Sequence, residues 1–375
     1  MGSCDLIGSD WPYVVDLMPA DLEQSAAEQL AFRRRRGVAS ASDLLRLALC
    51  YGFCDLSLRQ TAMQATLLGW GELSDVAVLN RLRHAADWLG YLVLRYLADR
   101  GLTRDVPAWP VRVLDATTIT APGSRGTDWR LHLGLDLAHL ALTSAELTGA
   151  EGGETLTRHA VAPGEILLAD RGYAHRQGVA SVLDRQAHVV VRLNWQNFPL
   201  TTRSGRALDL VAIAEGLAPD EIGDYDAQFR HSARDYPVRL LILRKSPAAA
   251  LQAQRHLRHE ATRKSRQPDP RSLRATPFVY VLTDLPRTQL PAAQGLELYR
   301  LRWQIEIAFK RLKSLVHLDR LRAKDRALAR AYLYAKLLGA LIVDDLSRGA
   351  LAFFPWGYRL FPTAHQSLAL AADDD

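Results

Sequence analysis

The chain has 375 residues, 48% hydrophobic and 23% charged, with a formal net charge of +6 and a pI near 9.3. That length supports two or three structural units with full cores, and the composition is that of an ordinary soluble globular chain. No apolar run reaches the roughly 18 residues of a membrane-spanning helix, and Met1 to Asp10 lacks the basic start and apolar stretch of a secretory signal, so a cytoplasmic protein is expected.

Residues 1–105 read as a helical N-terminal domain. Ser42-Asp43 marks a helix start ahead of the apolar positions Leu44, Leu45, Leu47, Ala48 and Cys50. Cys50 and Cys54 sit four apart in this run and read as core thiols on one helix face. With Cys4 they make three cysteines, too few for a disulfide framework. Ser57 opens a second helix through Thr66, Gly69 to Gly71 interrupt it, and Ser74-Asp75 cap a longer helix carrying Val76, Leu79, Leu82, Ala86 and Leu89. A short helix, a glycine turn and a second helix with Asn80, Arg81, Arg83 and His84 fit a helix-turn-helix DNA reader, and equally a plain helical bundle.

From Pro107 the pattern changes to strands. Val111 to Thr120 is rich in β-branched residues, Trp129 to Leu137 and Leu140 to Leu147 alternate, Gly164 to Ala169 is a short apolar run, Gln177 to Arg185 is helical, and Val189 to Leu193 is a further strand. This makes 106–195 a mixed sheet with helices packed on it. Residues 196–285 break the pattern with a strand at Pro237 to Leu243, a very basic helix at Ala248 to Arg263 and a Pro/Ser/Arg stretch at Lys264 to Pro277. They read as a mainly β or mixed insertion subdomain. A strand from Phe278 to Leu282 closes it, and residues 286–348 hold one long helix from Pro291 to Val316 and a last apolar helix from Ala327 to Leu346. Residues 349–375 form a tail ending in Asp373 to Asp375.

Basic clusters occur at Arg33 to Arg36, Arg255 to Arg274 and Arg300 to Arg322. Any one of them is an ordinary solvated face; together they favour a polyanionic partner. Asp115 lies within a strand and Asp170 where the strand Ile166 to Ala169 runs into a loop. Aspartate is depleted in strands and costly when buried without a partner. Two carboxylates at such positions of one sheet would repel unless cations were bound between them. In the long helix, Tyr299, Arg302, Glu306, Lys310 and Lys313 are spaced by three, four, four and three, which lines one stripe, while Leu301, Ile305, Ala308 and Leu312 form the apolar stripe. By periodicity alone, Arg302–Glu306 and Glu306–Lys310 are also ordinary helix ion pairs.

These residues resemble the insertion-sequence family-four transposases, bacterial DDE enzymes with a ribonuclease-H-like catalytic domain. Tyr299, Arg302, Glu306 and Lys313 meet the family signature Y-x2-R-x3-E-x6-K without a gap. Asp115 in Leu114-Asp115-Ala116-Thr117 resembles the family's first aspartate, and Asp170 in Asp170-Arg171-Gly172-Tyr173 its second. The likeness covers about residues 40 to 345. It implies an α/β, ribonuclease-H-like mixed sheet with an insertion and an all-α N-terminal domain that could bind DNA ends. It also implies Asp115, Asp170 and Glu306 as catalytic ligands of two Mg2+ ions, with Mn2+ able to substitute, and Asp115 bridging them.

The activity implied is cut-and-paste DNA cleavage and joining through a hairpin intermediate. The implied partners are transposon-end inverted-repeat DNA and target DNA, handled by a synaptic homodimer in the bacterial cytoplasm, associated with the nucleoid and not with a membrane. Expected DNA contacts are Tyr299, Arg302, Lys310, Lys313, Arg192, Arg171 and Tyr173, with Trp195 as the stacking platform for a flipped base. Two other readings stand beside this one: a ribonuclease-H-like nuclease without strand transfer, and an inactive or domesticated relative that regulates by binding DNA.

Overall fold

The structure, a computed structural model, describes residues 7–8, 10–31, 37–99, 110–137 and 141–352. Cys4, the Arg33 to Arg36 cluster, the expected start of a strand at Leu140, and the tail from residue 353 lie outside the described residues.

In chain order the helices α1 (Trp11–Asp16), α2 (Leu22–Glu28), α3 (Ala41–Gly52), α4 (Leu58–Leu67) and α5 (Asp75–Asp99) come first. Strands β1 (Val111–Ile119), β2 (Trp129–Asp136), β3 (Ala141–Gly149) and β4 (Ile166–Ala169) follow, then α6 (Arg176–Leu183) and β5 (His188–Arg192). The middle of the chain adds α7 (Leu210–Glu215), β6 (Ile222–His231), β7 (Arg234–Arg244), α8 (Pro247–Arg263), α9 (Pro270–Ala275) and β8 (Phe278–Thr283). The chain then forms α10 (Ala292–Arg300), α11 (Trp303–Val316) and α12 (Arg326–Ala352).

These elements fall into two compact units, Met1–Val93 with Asp325–Asp375, and Leu94–Lys324. The grouping differs from the expected one, since α12 belongs with the N-terminal helices rather than with the helix of Glu306.

Among its described residues the first unit is all helical. Its caps follow the sequence closely: the Ser57 hydroxyl and the Gln60 side chain form a reciprocal capping box at α4, and the Ala77 N–H donates to Ser74 Oγ at 3.1 Å at the start of α5. Helix α3 is capped two residues before the expected Ser42, because the Ser40 hydroxyl accepts the Asp43 N–H at 3.0 Å. Cys54 consequently lies beyond the end of α3 and does not share its face with the buried Cys50. Gly52 lets α3 and α12 approach closely; a Cβ there would stand 2.6 Å from the Ala335 side chain. Lys336 of α12, fully buried, reaches Asp55 at 3.0 Å, and Arg83 on α5 is held by both oxygens of Asp325 at 3.1 Å.

The second unit is built on one eight-stranded sheet, ordered β3-β2-β1-β4-β5-β8-β7-β6. β1 pairs antiparallel with β2 and parallel with β4, and β4 pairs parallel with β5, which gives the expected ribonuclease-H-like mixed sheet. Residues 196–285 do not stand apart from this sheet. Their strands β8, β7 and β6 extend it antiparallel from β5, with Val191 opposite Leu282 and Leu240 opposite Leu282 on the other side. Buried Arg239 binds Asp224 through two nitrogens and donates to the carbonyls of Leu285 and Leu290 at 2.7 and 2.8 Å, fastening the segment that leads into α10. Helix α8, by contrast, has no buried residue.

Candidate active site

Strand pairing brings the two aspartates together. In the parallel register of β1 and β4, Leu114 lies opposite Ala169, so Asp115 and Asp170 are the next residue on each strand path. Val113, Leu114 and all of β4 are buried, which anchors both backbones while the carboxylates stand at the partly open edge. Burial pushes the Asp115 pKa up to about 6; the Ala116 N–H at 2.8 Å and Arg302 oppose the rise, and the negative charges of Glu154 and Asp170 add to it. The acid fixed within the paired strand thus carries a charge that its surroundings do not fully compensate.

The third acid arrives on α11. The expected single helix from Pro291 to Val316 is divided into α10 and α11 at Leu301–Arg302. The backbone keeps right-handed helical angles there but tightens to three-residue hydrogen bonds, Arg302 N–H to Tyr299 O at 3.0 Å and Ile305 N–H to Arg302 O at 3.2 Å. The buried stripe of α11 is Ile305, Phe309 and Leu312; Leu301 is exposed and Phe309 takes the place expected of Ala308.

The tight turn aims two side chains at the aspartates. The Tyr299 hydroxyl donates to Asp170 Oδ1 at 3.2 Å. The Arg302 guanidinium donates to Asp115 Oδ2 at 3.4 Å through one nitrogen and to Glu306 Oε1 through the other, so a single guanidinium spans those two acids. Burial works to lower the Arg302 pKa, yet Tyr299, Glu306 and Asp170 hold it above the ordinary value. Burial, with the Asp170 charge, pushes the Tyr299 pKa up to about 12. Among the described residues no three acid, histidine or cysteine side chains lie close enough to hold a metal ion together, and the Arg302 guanidinium pairs with both Asp115 and Glu306.

Lys310 and Lys313 line a cleft of about 510 Å³ with Glu306, Phe309, Ser314, Asp319, Ala116 and Thr117. Neither lysine forms an ion pair among the described residues, so both charges face the cleft. Arg192, at the end of β5, is near enough to Tyr299 for its charge to act on the hydroxyl, and Arg171 is exposed on the turn after Asp170.

Two expected contacts stand differently. Tyr173 is fully enclosed in the core, where a nucleic-acid strand could not reach it, so its place in the site is internal. Trp195 is half-buried against the same core with the Arg271 guanidinium 5.2 Å from its ring centre, and that arginine is itself bound to Asp209 at 2.8 Å. One face of the indole is therefore already covered. Glu154, in the loop after β3, was not singled out by any sequence pattern, although its charge acts on Asp115; only strand pairing reveals its position.

Comparisons with known proteins identify the family of the chain. Residues 109–342 match the transposase DDE domain family. InsL of insertion sequence element IS186A from Escherichia coli strain K12 is 39% identical over 344 residues, and the transposase of insertion sequence element IS421 from Escherichia coli is 39% identical over 345. Each alignment covers 90% of this chain and 93% of the relative. A piggyBac transposase in a synaptic complex with hairpin DNA, solved by cryo-electron microscopy, aligns with a TM-score of 0.45 at 10% identity, over 92% of this chain and 75% of that one.

Proposed function

The chain belongs to the DDE transposase family, and from that premise we propose that it cuts DNA at the ends of its element and joins them to target DNA by two-metal phosphoryl transfer at Asp115, Asp170 and Glu306. The observation that carries the reading is the register of β1 and β4, which sets Asp115 beside Asp170, with Glu306 joined to Asp115 through one guanidinium.

The donor set suits divalent magnesium. It is made of carboxylate oxygens, and the crowding of negative charge at Asp115 is what a bound cation would relieve. When bound, a pair of such ions supplies an activated oxygen nucleophile and stabilises the leaving oxygen. The chain's own residues do the rest. Tyr299 orients the Asp170 carboxylate, Arg302 is positioned to exchange a carboxylate for a phosphate oxygen, and Lys310 and Lys313 neutralise the DNA backbone along the cleft. Arg192 and Arg171 extend that positive surface. Resemblance through the Tyr299–Arg302–Glu306–Lys313 signature supports a hairpin intermediate and synapsis by two copies of the chain.

Helix α8 adds a second surface. Arg255, Arg258, Arg263 and Lys264, on and just beyond this helix without a buried residue, carry no ion pair among the described residues, whereas Arg271 and Arg274 nearby are bound to Asp209 and Glu215. The unpaired set is suited to tracking a DNA backbone.

Incubating the protein with its own flanking DNA and magnesium tests the proposal. Wild-type protein is expected to give hairpin ends and joined products, and Asp115→Ala, Asp170→Ala and Glu306→Ala to bind the ends without cutting them. Nicks without joining would favour a ribonuclease-H-like nuclease instead. Binding without any cleavage by wild type would favour a DNA-binding regulator.

A further inference from the structure

A fourth carboxylate lies at the site. Glu154 follows β3 in a loop that is fastened just before it: the Arg130 guanidinium donates to the Gly152 carbonyl at 3.1 Å, and Arg158, itself paired with Glu146 at 2.6 Å, donates to the Gly153 carbonyl at 3.3 Å. The loop sets the Glu154 carboxylate directly over the turn that carries Asp170. At Gly172 a Cβ would stand 1.8 Å from Glu154 Oε2 and 3.0 Å from its carboxyl carbon. The backbone of Gly172 is not in the left-handed region, so the constraint on this residue is room for the carboxylate and not its backbone angles.

A second, independent feature points to a ligand there. The Tyr173 hydroxyl is fully buried and, among the described residues, has no hydrogen-bond partner. Beyond burial itself, the charges that act most strongly on it are those of Glu154 and Asp115. A buried hydroxyl within reach of the charge of two carboxylates is a donor awaiting an oxygen, which the outer hydration of a cation supplies.

We infer that Glu154 is a positioning residue of the catalytic pocket, whose charge, admitted by the bare face of Gly172, strengthens the hold of the site on divalent cations. This rests on the proposed reading of Asp115, Asp170 and Glu306 as cation ligands. Glu154 acts on the cations through its charge and through ordered water shared with Tyr173. Arg130 and Arg158 hold the backbone of the loop that carries it.

The test is Mn2+ binding to the full chain without DNA at pH 7.5, read from the electron paramagnetic resonance signal of unbound Mn2+, with thermal melting to confirm folding. Glu154→Gln is expected to raise the Mn2+ dissociation constant about ten-fold, the low end for groups that support a metal site from outside its ligands. Glu154→Asp, which keeps the charge, should recover part of that loss. Gly172→Ala, which keeps the charge but displaces it, should weaken binding in the wild-type background and add nothing to Glu154→Gln.

Asp115→Asn separates the two levels of the reading. If Asp115→Asn loses Mn2+ while a folded Glu154→Gln binds it as tightly as wild type, the role of Glu154 is overturned and the cation site stands. If Asp115→Asn also binds like wild type, the cation site itself fails and Glu154 with it. Should Glu154→Gln not fold, Gly172→Ala decides, and unchanged affinity in that folded variant overturns the inference.

Discussion

Asp115→Asn should stabilise the protein at neutral pH, and the size of the effect follows from the environment of the carboxyl. Its pKa stands at about 6 instead of 3.8, chiefly through burial, even though Arg302 lies 3.4 Å away. An acid whose folded pKa is raised favours the folded state while protonated, so its support is complete below pH 3.8 and lost as the pH rises through 6. Two units correspond to about 3 kcal/mol, and that is the cost of keeping Asp115 ionised in the fold at pH 7.5. Asparagine keeps an oxygen for the Ala116 N–H and removes the charge. Arg302 retains Glu306 in the variant, which limits the loss on its side.

Guanidinium unfolding in EDTA is the assay. At pH 7.5 the variant should exceed wild type by about 2–3 kcal/mol, and by pH 4 the difference should shrink to about 0.5 kcal/mol. Magnesium in place of EDTA should stabilise wild type at pH 7.5 and leave the variant nearly unchanged. Equal stability of the two proteins across the whole pH range would refute the argument, because it would mean that the Asp115 charge is already fully compensated.

Two further outcomes test other parts of the molecule. Lys313→Ala should weaken end-DNA binding and reduce the slope of log affinity against log salt by about 1, as expected for one lost phosphate contact; an unchanged slope in fluorescence anisotropy would remove Lys313 from the DNA surface. Asp55→Ala takes a carboxylate from the fully buried Lys336 and from the Tyr332 hydroxyl, and should cost about 3–5 kcal/mol in chemical unfolding. A loss below about 1 kcal/mol would show that Lys336 is satisfied by its other surroundings.

Much of the sheet was legible in sequence because its inner strands are buried on both faces and rich in branched residues, as Ile166 to Ala169 and His188 to Arg192 are. Strand β6 was missed for the opposite reason. It is an edge strand, and Gly223, Asp224, Asp226 and Gln228 give it the polar, turn-like composition of a loop. Its partner β7 was found, but pairing partners are not written in either strand alone, so the union of residues 196–285 with the main sheet could not be read.

The same limit applies to the site. Asp115 and Asp170 each carried the anomaly of an acid in an apolar strand context, while their adjacency depends on the register of β1 with β4. The stripe from Tyr299 to Lys313 fits an unbroken helix because no glycine or proline marks Leu301–Arg302, where the hydrogen bonds tighten. Tyr173, beside a loop glycine and an arginine, reads as a surface contact, yet it faces the core. Glu154 carried no signal at all, since its importance comes from what lies across the sheet and from the missing side chain at Gly172.

The placement of the acids divides the site into a fixed part and an adjustable one. β1 is bonded on both edges, to β2 and to β4, and β4 to β1 and β5, so Asp115 and Asp170 cannot shift relative to each other without slipping a buried ladder. Glu306 has no such ladder. Its helix is seated by Ile305, Phe309 and Leu312, its side chain is 56% exposed, and its tie to Asp115 runs through Arg302. On the proposed reading, a phosphate that competes for Arg302 withdraws a positive charge from between two carboxylates and so strengthens their demand for cations. DNA and metal would then favour each other's binding at this site, and the coupling would reside in Arg302 rather than in the sheet.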